Sequence, residues 1–320
     1  MEVCFLGTSS GVPTKSRNVT AIALTESKGK DWYLIDCGEG TQHQLLHTKL
    51  SLNALKAIFI THVHGDHCYG LPGLLASAGM SGRKEPFVIV APKGIKEWVE
   101  SVQTHTQLYL PYEIQFIDTE HYKAQIFGQF KVQTTALSHR VPSYAYSFTE
   151  HQVDMQLDFE KLKASGLPQG PLWGKLKSGI DVEFEGKKYL SRDFVRTVGF
   201  PRKVVIGGDN DSPELLKETC KESHILIHES TYTEEMKIRA KEVGHSYAKQ
   251  VASFAQSLSI PNLILTHFSP RYQLDSSSGD SLETLRSEAE SVYDGNLNMA
   301  SDFECYRLDK SGKVIVSKTA

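Results

Sequence analysis

Cysteine is scarce in this 320-residue chain, and its spacing is wrong for a disulfide framework. The five cysteines are an odd number, lie far apart and form no C-x-x-C pair; they are Cys4, Cys37, Cys68, Cys220 and Cys305. Secreted domains that depend on disulfides carry many more, at closer spacing. We therefore expect no such framework and a reducing compartment. We interpret Cys68 as a small buried residue, with a thiolate ligand as the alternative.

Long apolar runs and an excess of one charge are also missing. No apolar stretch approaches the roughly 20 residues of a membrane-spanning helix, and residues 1–7 lack the basic region of a signal peptide. Lys and Arg total 35 against 38 Asp and Glu, which leaves −3 with His neutral. This balance argues against non-specific coating of nucleic acid but allows a local basic surface. We expect a soluble, cytoplasmic protein.

Short apolar runs alternate with helical patterns and predict an α/β layered fold. The strand candidates are residues 3–6, 19–24, 32–35, 57–60, 87–90, 114–117, 132–136, 204–206, 225–227 and 263–265. The helix candidates are residues 71–78, 95–103 and 246–258, and another that begins at Ser212 with Pro213 in its first turn. The near-continuous apolar runs after residue 200 predict strands that are buried on both faces.

Residues 161–178 interrupt this alternation. The segment is rich in glycine and proline and carries four lysines without an acidic residue. Such a composition predicts an irregular segment rather than a regular core element. On composition alone it is equally well explained as a solvated surface loop.

The run H-V-H-G-D-H at residues 62–67 places four strong metal ligands directly after a predicted buried strand. His62 and His64 are two apart on an extended chain, so they point to the same side and can share one cation. Asp66 and His67 follow a glycine bend and face a neighbouring position. The alternative is an exposed polar loop that happens to be rich in histidine.

Three more predicted strands end in ligand-type residues, at His139, Asp209 and His267. Taken singly, a residue of this kind at a strand end is more often a hydrogen-bonded polar side chain than a metal ligand. Because α/β sheets bind ligands at the carboxyl ends of their strands, together they are expected to converge. The sets would be His62, His64 and His139 for one cation and Asp66, His67 and His267 for the other, with Asp209 as the bridge. Zinc suits these ligands best, with manganese or iron possible, and a pair of cations indicates hydrolysis.

The ligand run and the later His, Asp and His resemble the metallo-β-lactamase superfamily, which includes lactamases, glyoxalases, lactonases and phosphodiesterases. Further signatures are G-V-P-T-K-S-R-N at 11–18, D-C-G-E-G-T-Q at 36–42, H-E-S-T at 228–231, G-H-S at 244–246, T-H-F-S-P-R-Y at 266–272 and Gly170-Pro171. With these, nearly the whole chain resembles the short-form tRNase Z (RNase Z) family, endonucleases that remove 3′ trailers from precursor tRNA. Tyr247 departs from the family, which often has Thr there.

The resemblance implies a four-layer αβ/βα sandwich over residues 1–320, with a protruding, flexible arm inserted at residues 150–195. The arm would grip the tRNA elbow through Gly170, Pro171, Lys175 and Lys177. A nearly neutral protein could thus bind RNA through one basic arm. The family resemblance also implies a homodimer in which the arm of one subunit serves tRNA cut by the other.

The resemblance further assigns roles to individual residues. Lys15, Arg17 and Asn18 would contact the tRNA acceptor end, and Arg271 and Tyr272 would bind phosphate. His245 would protonate the leaving oxygen with its ring oriented by Glu229, and Asp66 would orient or deprotonate the attacking water. The alternatives are a surface turn at residues 11–18, a strand-terminating turn at 36–42, and a solvated His245 at a helix start.

Together these features predict a zinc-dependent endoribonuclease with two zinc ions per subunit. It would cut precursor tRNA after the discriminator nucleotide, leaving a 3′-hydroxyl on the tRNA and a 5′-phosphate on the trailer. One competing hypothesis is a metallo-hydrolase of a small phosphodiester or ester. The other is a non-catalytic metal- or RNA-binding module.

Overall fold

Nineteen strands and ten α-helices occur in the computed structural model, which describes residues 1–151, 155–197, 199–272 and 281–318. The first strands are β1 (Glu2–Gly7), β2 (Ala21–Thr25), β3 (Trp32–Ile35), β4 (Leu55–Phe59), β5 (Phe87–Ala91), β6 (Ile114–Asp118), β7 (Gln125–Phe127), β8 (Phe130–Leu137) and β9 (Ser143–Glu150). They are followed by β10 (Met155–Leu157), β11 (Val182–Phe184), β12 (Lys187–Tyr189), β13 (Val195–Thr197), β14 (Lys203–Ile206), β15 (Ile225–Glu229), β16 (Asn262–Thr266), β17 (Asn296–Met299), β18 (Glu304–Leu308) and β19 (Val314–Lys318).

The helices lie between these strands. They are α1 (Thr41–Leu45), α2 (Gly65–Cys68), α3 (Leu71–Met80), α4 (Ile95–Thr106), α5 (Phe159–Ala164), α6 (Pro171–Lys177), α7 (Ser191–Phe194), α8 (Lys237–Val243), α9 (Ala248–Ser257) and α10 (Leu282–Glu290). In the part of the chain covered by the structure, no helix has the length and apolar character needed to cross a membrane.

The chain divides into two units, of which unit 1 comprises Met1–Thr149 with Arg202–Ala320. Its eight-stranded sheet has the order β19-β18-β1-β2-β3-β4-β5-β6, and its seven-stranded sheet has the order β17-β16-β15-β14-β9-β8-β7. The strands β3 to β6 pair in parallel, as do β14 to β17. Parallel strands end at the same edge of a sheet, and this edge carries the polar residues described below.

Aromatic side chains from both sheets form the core between them. Phe5, Tyr33 and Phe59 of the eight-stranded sheet share one buried cluster with Tyr146 and Phe148 of the seven-stranded sheet. Phe59 and Phe148 pack edge to face with their centroids 5.2 Å apart, a favourable arrangement for aromatic pairs. The inner faces of the two sheets therefore pack against each other.

Helices cover the outer face of each sheet. Helices α3 and α4 pack on the eight-stranded sheet, and α9 and α10 pack on the seven-stranded sheet. Their buried side chains include Leu71, Leu74, Ile95, Val99, Val251, Ala255 and Leu285. The predicted four-layer αβ/βα sandwich is confirmed. Every predicted strand and three of the predicted helices occur, with ends shifted by a few residues.

The helix predicted after Ser212 is only a 3₁₀ turn at Pro213–Leu216, and Ser212 does not cap it. The Ser212 hydroxyl instead donates a 2.6 Å hydrogen bond to Asp211. A side chain that bonds its neighbour cannot satisfy the free amides of a helix N-terminus. The sequence pattern was correct for the start of a helical turn and wrong for its continuation.

Cys4 and Cys305 form a single disulfide, which the cysteine spacing did not predict. They face each other directly in the antiparallel pairing of β1 with β18, although 301 residues separate them in the chain. Spacing along the sequence carries no information about such a pairing. Cys37, Cys68 and Cys220 are free and buried, so the interpretation of Cys68 as a small buried residue is confirmed.

Unit 2 comprises Glu150–Pro201 and has regular structure of its own, so the prediction of an irregular segment at residues 161–178 is wrong. Helices α5 and α6 lie with two short antiparallel strand pairs, β10 with β13 and β11 with β12. Leu162, Trp173 and Leu176 are buried in a separate small core. Pro171 occupies the first turn of α6, where its missing amide hydrogen costs nothing. Proline and glycine therefore mark helix boundaries here, and the lysines lie on the exposed helix faces.

We predict that Trp173→Ala unfolds unit 2 while unit 1 stays folded. Truncating a buried tryptophan typically costs about 3–5 kcal/mol, which a core this small cannot absorb. Hydrogen exchange measured by mass spectrometry should accelerate across residues 155–197 and stay unchanged in β1–β5. The control is Ile180→Ala, because Ile180 is 56% exposed. Faster exchange throughout unit 1 would contradict the prediction that unit 1 stays folded.

Candidate metal centre

Histidine and aspartate side chains from both sheets converge at the carboxyl ends of strands in unit 1. The run of residues 62–67 follows β4, and His267 follows β16. Asp209 follows β14, and His139 follows β8. The structure thus brings together all seven residues that the sequence analysis predicted as ligands. They form two adjacent sets of metal-ligand atoms, which we call the donor groups.

The first group consists of His62, His64, His139 and Asp209, whose donor atoms all lie within 4.8 Å of one another. His64 Nδ1 is 3.1 Å from Nε2 of His62 and 3.1 Å from Nε2 of His139. Asp209 Oδ2 is 3.5 Å from the former Nε2 and 3.8 Å from the latter. Three imidazole nitrogens and one carboxylate oxygen therefore lie close enough together that they could hold one cation.

The second group consists of Asp66, His67 and His267. His67 Nε2 and His267 Nε2 are 3.2 Å apart, and Asp66 Oδ2 is 3.6 Å and 3.3 Å from them. The other oxygen of Asp209, Oδ1, lies 3.5 Å from His67 Nε2 and 3.4 Å from His267 Nε2. Each oxygen of Asp209 thus faces one group.

The chemistry of these donors fits divalent metal ions. Asp209 Oδ1 is buried and has no hydrogen-bond partner among the described residues, which is costly for a carboxylate oxygen unless a cation compensates it. Burial also lowers the pKa of His62 well below its ordinary value, and a neutral imidazole is the form that binds metal. The residues present are therefore compatible with metal binding.

Asp36 holds the ring of His67, a role that the sequence analysis missed. Its Oδ2 accepts a 2.7 Å hydrogen bond from His67 Nδ1, which leaves Nε2 facing the donor group. Its Oδ1 accepts a 2.7 Å hydrogen bond from the Thr61 amide. Carboxylates that orient ligating histidines are common in metal sites. The signal was the D-C-G-E-G-T-Q motif directly after β3, a family signature for which a strand-terminating turn was the alternative.

Contacts at Nδ1 also orient the rings of two other candidate ligands, His139 and His267. The Gly244 carbonyl accepts a 2.6 Å hydrogen bond from His139 Nδ1, and Thr231 Oγ1 lies 3.0 Å from His267 Nδ1. A Cβ atom at Gly244 would lie 2.9 Å from His139 Nδ1, and Gly244 has φ +77°. The glycine of the G-H-S motif is therefore required for this close approach.

The two sheets also approach closely beside the site. The Tyr144 amide donates a 3.1 Å hydrogen bond to the Thr61 carbonyl, which joins β9 to the segment after β4. A Cβ atom at Gly208 would lie 2.6 Å from Cβ of Thr61. Glycine is therefore needed where the β14 loop passes this segment. This contact brings Asp209 next to the run of residues 62–67.

His245 and Glu229 form a hydrogen-bonded pair next to the donor groups. His245 Nδ1 lies 3.1 Å from Glu229 Oε1 and 3.7 Å from Asp209 Oδ2. The amides of Ser246 and Thr231 donate to the two oxygens of Glu229 at 2.8 Å and 3.0 Å. The His245 side chain is only 14% exposed, so the alternative of a solvated ring does not hold.

Neighbouring carboxylates favour the protonated form of His245. Burial alone would lower the pKa of this ring, but Glu229 and Asp209 outweigh that effect and raise the pKa to about 9. A histidine that keeps its proton near neutral pH can act as a general acid. The structure places Glu229 where it can orient His245, and the role of His245 as a general acid stays a prediction.

Of the predicted RNA contacts near the N-terminus, only Lys15 is exposed. The Arg17 side chain is buried, donates hydrogen bonds to Thr8 and to the Ala300 carbonyl, and lies 5.1 Å from the Phe268 ring centroid. Asn18 donates to the Glu39 carbonyl at 2.8 Å. Arg17 therefore braces the loop from inside, contrary to the expectation that it contacts RNA directly, whereas Asn18 is half-buried and its RNA contact stays a prediction.

The last two residues of the T-H-F-S-P-R-Y motif, Arg271 and Tyr272, also differ in their exposure. Arg271 is exposed, with its guanidinium 5.4 Å from the Tyr232 ring centroid. Tyr272 is buried, and its hydroxyl accepts a 3.0 Å hydrogen bond from the Thr233 amide. The phosphate contact of Arg271 stays a prediction, whereas Tyr272 is buried with its hydroxyl engaged by Thr233, contrary to the prediction that it binds phosphate.

A cleft of about 470 Å³ opens onto the donor groups. Its lining includes His64, Asp66, Tyr69, His139, Arg140, Asp209, Tyr232 and His245. The Gly11 amide donates a 2.7 Å hydrogen bond to Asp66 Oδ2 and so holds this carboxylate at the cleft. Gly170, Pro171, Lys175 and Lys177 belong to unit 2, where all four are exposed.

Comparison with known proteins identifies the family. The chain is 49% identical to ribonuclease Z of Pseudomonas putida strain W619 over 98% of both chains, and 38% identical to ribonuclease Z of Bacillus thuringiensis strain Al Hakam over 97% of this chain and 100% of that one. The crystal structure of human short-form tRNase Z superposes with a TM-score of 0.66 at 26% identity, covering 97% of this chain and all of that chain. Residues 1–164 match the family model for the anti-Pycsar protein Apyc1. The chain belongs to the ribonuclease Z family, the tRNA 3′-processing endoribonucleases of the metallo-β-lactamase superfamily.

Proposed function

We propose that this protein hydrolyses one phosphodiester of precursor tRNA after the discriminator nucleotide and so releases the 3′ trailer. The products are a tRNA with a 3′-hydroxyl and a trailer with a 5′-phosphate. We further propose two zinc ions per subunit, a homodimer and a cytoplasmic location. The single observation that carries this proposal is the position of Asp209, with one carboxylate oxygen facing each donor group and His245 alongside.

The first group, with His62, His64 and His139, would hold one zinc ion, and the second, with Asp66, His67 and His267, would hold the other. Asp209 would bridge them. When bound, such a pair of ions makes water nucleophilic at neutral pH and offsets the charge that builds up on the phosphate.

Two side chains then handle protons on opposite sides of the scissile phosphate. Asp66, fixed by the Gly11 amide, orients the attacking water or accepts its proton. His245 points Nδ1 at Glu229, so its Nε2 is the nitrogen that can donate a proton to the leaving O3′ of the discriminator nucleotide. Glu229 keeps the ring in this orientation and stabilises its protonated form.

RNA binding requires contacts beyond the cleft. Lys175 and Lys177 are exposed on α6 of unit 2, and the structured core of that unit holds the helix in shape. Lysines on one stable helix can contact successive phosphates of an RNA backbone. We propose that unit 2 is the tRNA-binding arm, and that in the homodimer it serves tRNA cut by the other subunit.

Removing a ligand should abolish cleavage without abolishing RNA binding. In Asp66→Ala and His64→Ala, the metal content measured by plasma emission spectroscopy should fall below the two ions per subunit expected for the wild type. Cleavage of a defined 3′-extended tRNA should be lost, while its affinity stays within a few-fold. Chelation should inactivate the wild type, and zinc should restore activity.

The control for these ligand variants is His105→Ala, because His105 is exposed in α4 and belongs to neither donor group. Loss of tRNA binding together with cleavage would show that the donor groups are structural. A wild-type protein that hydrolyses a small phosphodiester but leaves precursor tRNA intact would favour the competing hypothesis of a small-molecule hydrolase.

The pH dependence of cleavage should report the His245–Glu229 pair. His245→Ala should slow cleavage by about 10²–10⁴-fold, the usual contribution of a general acid. In Glu229→Gln, loss of the carboxylate should lower the pKa of His245, so the alkaline limb of the rate profile should move to lower pH. If Glu229→Gln lowers the rate equally at every pH, Glu229 has no effect on proton donation.

Charge reversal on α6 should weaken tRNA binding and leave chemistry intact. The double variant Lys175→Glu, Lys177→Glu keeps Trp173 and Leu176 in the core of unit 2. The slope of log affinity against log salt concentration should become shallower by about 0.7–0.9 for each phosphate that the variant no longer neutralises. Hydrolysis of a small phosphodiester should not change. Lys96→Glu on α4 is the control, and an equal effect there would mean that binding responds only to net charge.

A further inference from the structure

Tyr69 presents an aromatic ring to solvent at the cleft that contains the donor groups. The side chain is 63% exposed and lines the same cleft as His64 and Asp66. Its hydroxyl makes no hydrogen bond to any other residue described by the structure. Tyr69 is neither a candidate metal ligand nor a proton donor or acceptor in the proposed reaction.

The ring of Tyr69 is held in place from two sides. The Trp98 ring lies beside it, with centroids 6.0 Å apart and planes tilted by 40°, and Trp98 itself packs against the core under α4. The ring also covers the backbone at Gly65, where a Cβ atom would lie 2.2 Å from Tyr69 Cε2. A glycine in the ligand run therefore allows the ring to lie over that run. An exposed ring with fixed neighbours loses little conformational freedom when a ligand stacks on it.

A flat, preorganised aromatic surface beside a phosphodiester site suits a single-stranded nucleotide. Bases stack on exposed tyrosine and tryptophan rings with little dependence on sequence, because every base has a π face. The trailer of a precursor tRNA has to lie in the cleft as a single strand on one side of the cut. A stacking residue would hold trailers of different sequence in one register.

The positions of Tyr69 and His245 indicate which nucleotide each one meets. Tyr69 follows the ligand run after β4 of the eight-stranded sheet, whereas His245 hydrogen-bonds Glu229 at the end of β15 of the seven-stranded sheet. In the proposed reaction His245 serves the leaving O3′ of the discriminator nucleotide. We assign the first trailer nucleotide, on the other side of the phosphate, to Tyr69, because this ring lines the same cleft from the opposite sheet.

We propose that Tyr69, backed by Trp98, stacks on the base of the first trailer nucleotide and positions the scissile phosphate over the donor groups. This inference rests on the proposed function, because it takes the site of cleavage from it. Tyr69 is a substrate-binding residue in this account and takes no part in proton transfer.

A double-mutant cycle between enzyme and RNA tests this proposal. Wild type and Tyr69→Ala are compared on precursor tRNA with a normal or an abasic first trailer nucleotide. We expect Tyr69→Ala to lower kcat/KM about 5- to 150-fold on normal RNA, the range for one stacked base. The abasic RNA should lower the wild-type value similarly, and the two changes together should cost no more than either alone. Tyr69→Phe should keep the wild-type value, because only the ring is used.

Two controls make the result specific. Tyr109→Ala removes a tyrosine that is 82% exposed and is not among the cleft-lining residues, so kcat/KM should not change. An abasic discriminator nucleotide should leave the effect of Tyr69→Ala at full size. The proposal would be overturned if the losses of kcat/KM caused by Tyr69→Ala and by the abasic trailer nucleotide multiplied when combined. It would also be overturned if the loss caused by Tyr69→Ala disappeared with the abasic discriminator nucleotide and not with the abasic trailer nucleotide.

A binding measurement separates this proposal from the proposed function. Precursor tRNA with 2-aminopurine at the first trailer position is bound to Asp66→Ala protein, which should not cut it. Stacking should quench the 2-aminopurine fluorescence. The double variant Asp66→Ala, Tyr69→Ala should not quench it. Unchanged fluorescence on binding would overturn the stacking contact even if wild-type cleavage occurs. Quenching by a protein whose wild type fails to cut would instead refute the proposed function alone.

Discussion

The buried carboxylate of Asp209 is the constraint on which the rest of the site depends. Five imidazole rings surround it, and the loop that carries it passes close to Thr61 of the other sheet's edge. Burial opposes its ionisation, yet the neighbouring histidines hold the pKa of Asp209 well below its usual range. Its Oδ1 has no hydrogen-bond partner among the described residues. A charge placed in this way is stable only where the neighbouring strands bring those rings close to it, and its unpartnered oxygen is compatible with a bound cation.

The supporting residues show how the fold meets this constraint. Asp36 holds one ring, Thr231 and the Gly244 carbonyl hold two others, and Gly208 lets the β14 loop pass Thr61. None of these groups belongs to either donor group, yet each determines where a donor atom points. Such surrounding contacts are what set ligand orientation in metal proteins. The site is therefore a property of two whole sheets rather than of one motif.

The two units divide chemistry from recognition in our proposal. Unit 1 contains the donor groups, the cleft and the His245–Glu229 pair, while unit 2 offers a small folded core with exposed lysines. This division explains how a chain with a net charge of −3 can act on RNA. Cations need only be concentrated where phosphates lie, because electrostatic attraction at physiological salt is screened within about 8 Å.

Much of this protein could be predicted from its sequence, because local patterns carry the relevant physics. Apolar runs gave the strands, and the histidine run after β4 indicated metal before any fold was known. The later ligands were predictable since each stands directly after such a run. The family resemblance supplied what spacing could not, above all the pairing of His245 with Glu229. Patterns failed where one signal has two meanings, as at residues 161–178, where glycine and proline lie mostly in a short connection between two helices and not in one long irregular segment.

Tertiary structure alone decided which polar groups are free to act. Arg17 and Tyr272 stand in motifs beside exposed residues, yet burial engages both in internal hydrogen bonds, and Asp36 becomes the partner of His67 only when β3 and β4 pair. Cys4 meets Cys305 for the same reason, since sheet register joins residues that are distant in the chain. Sequence determined the chemical types and their order along each strand. Packing of the two sheets determined their distances, and distance decides whether a side chain binds, orients or only fills space.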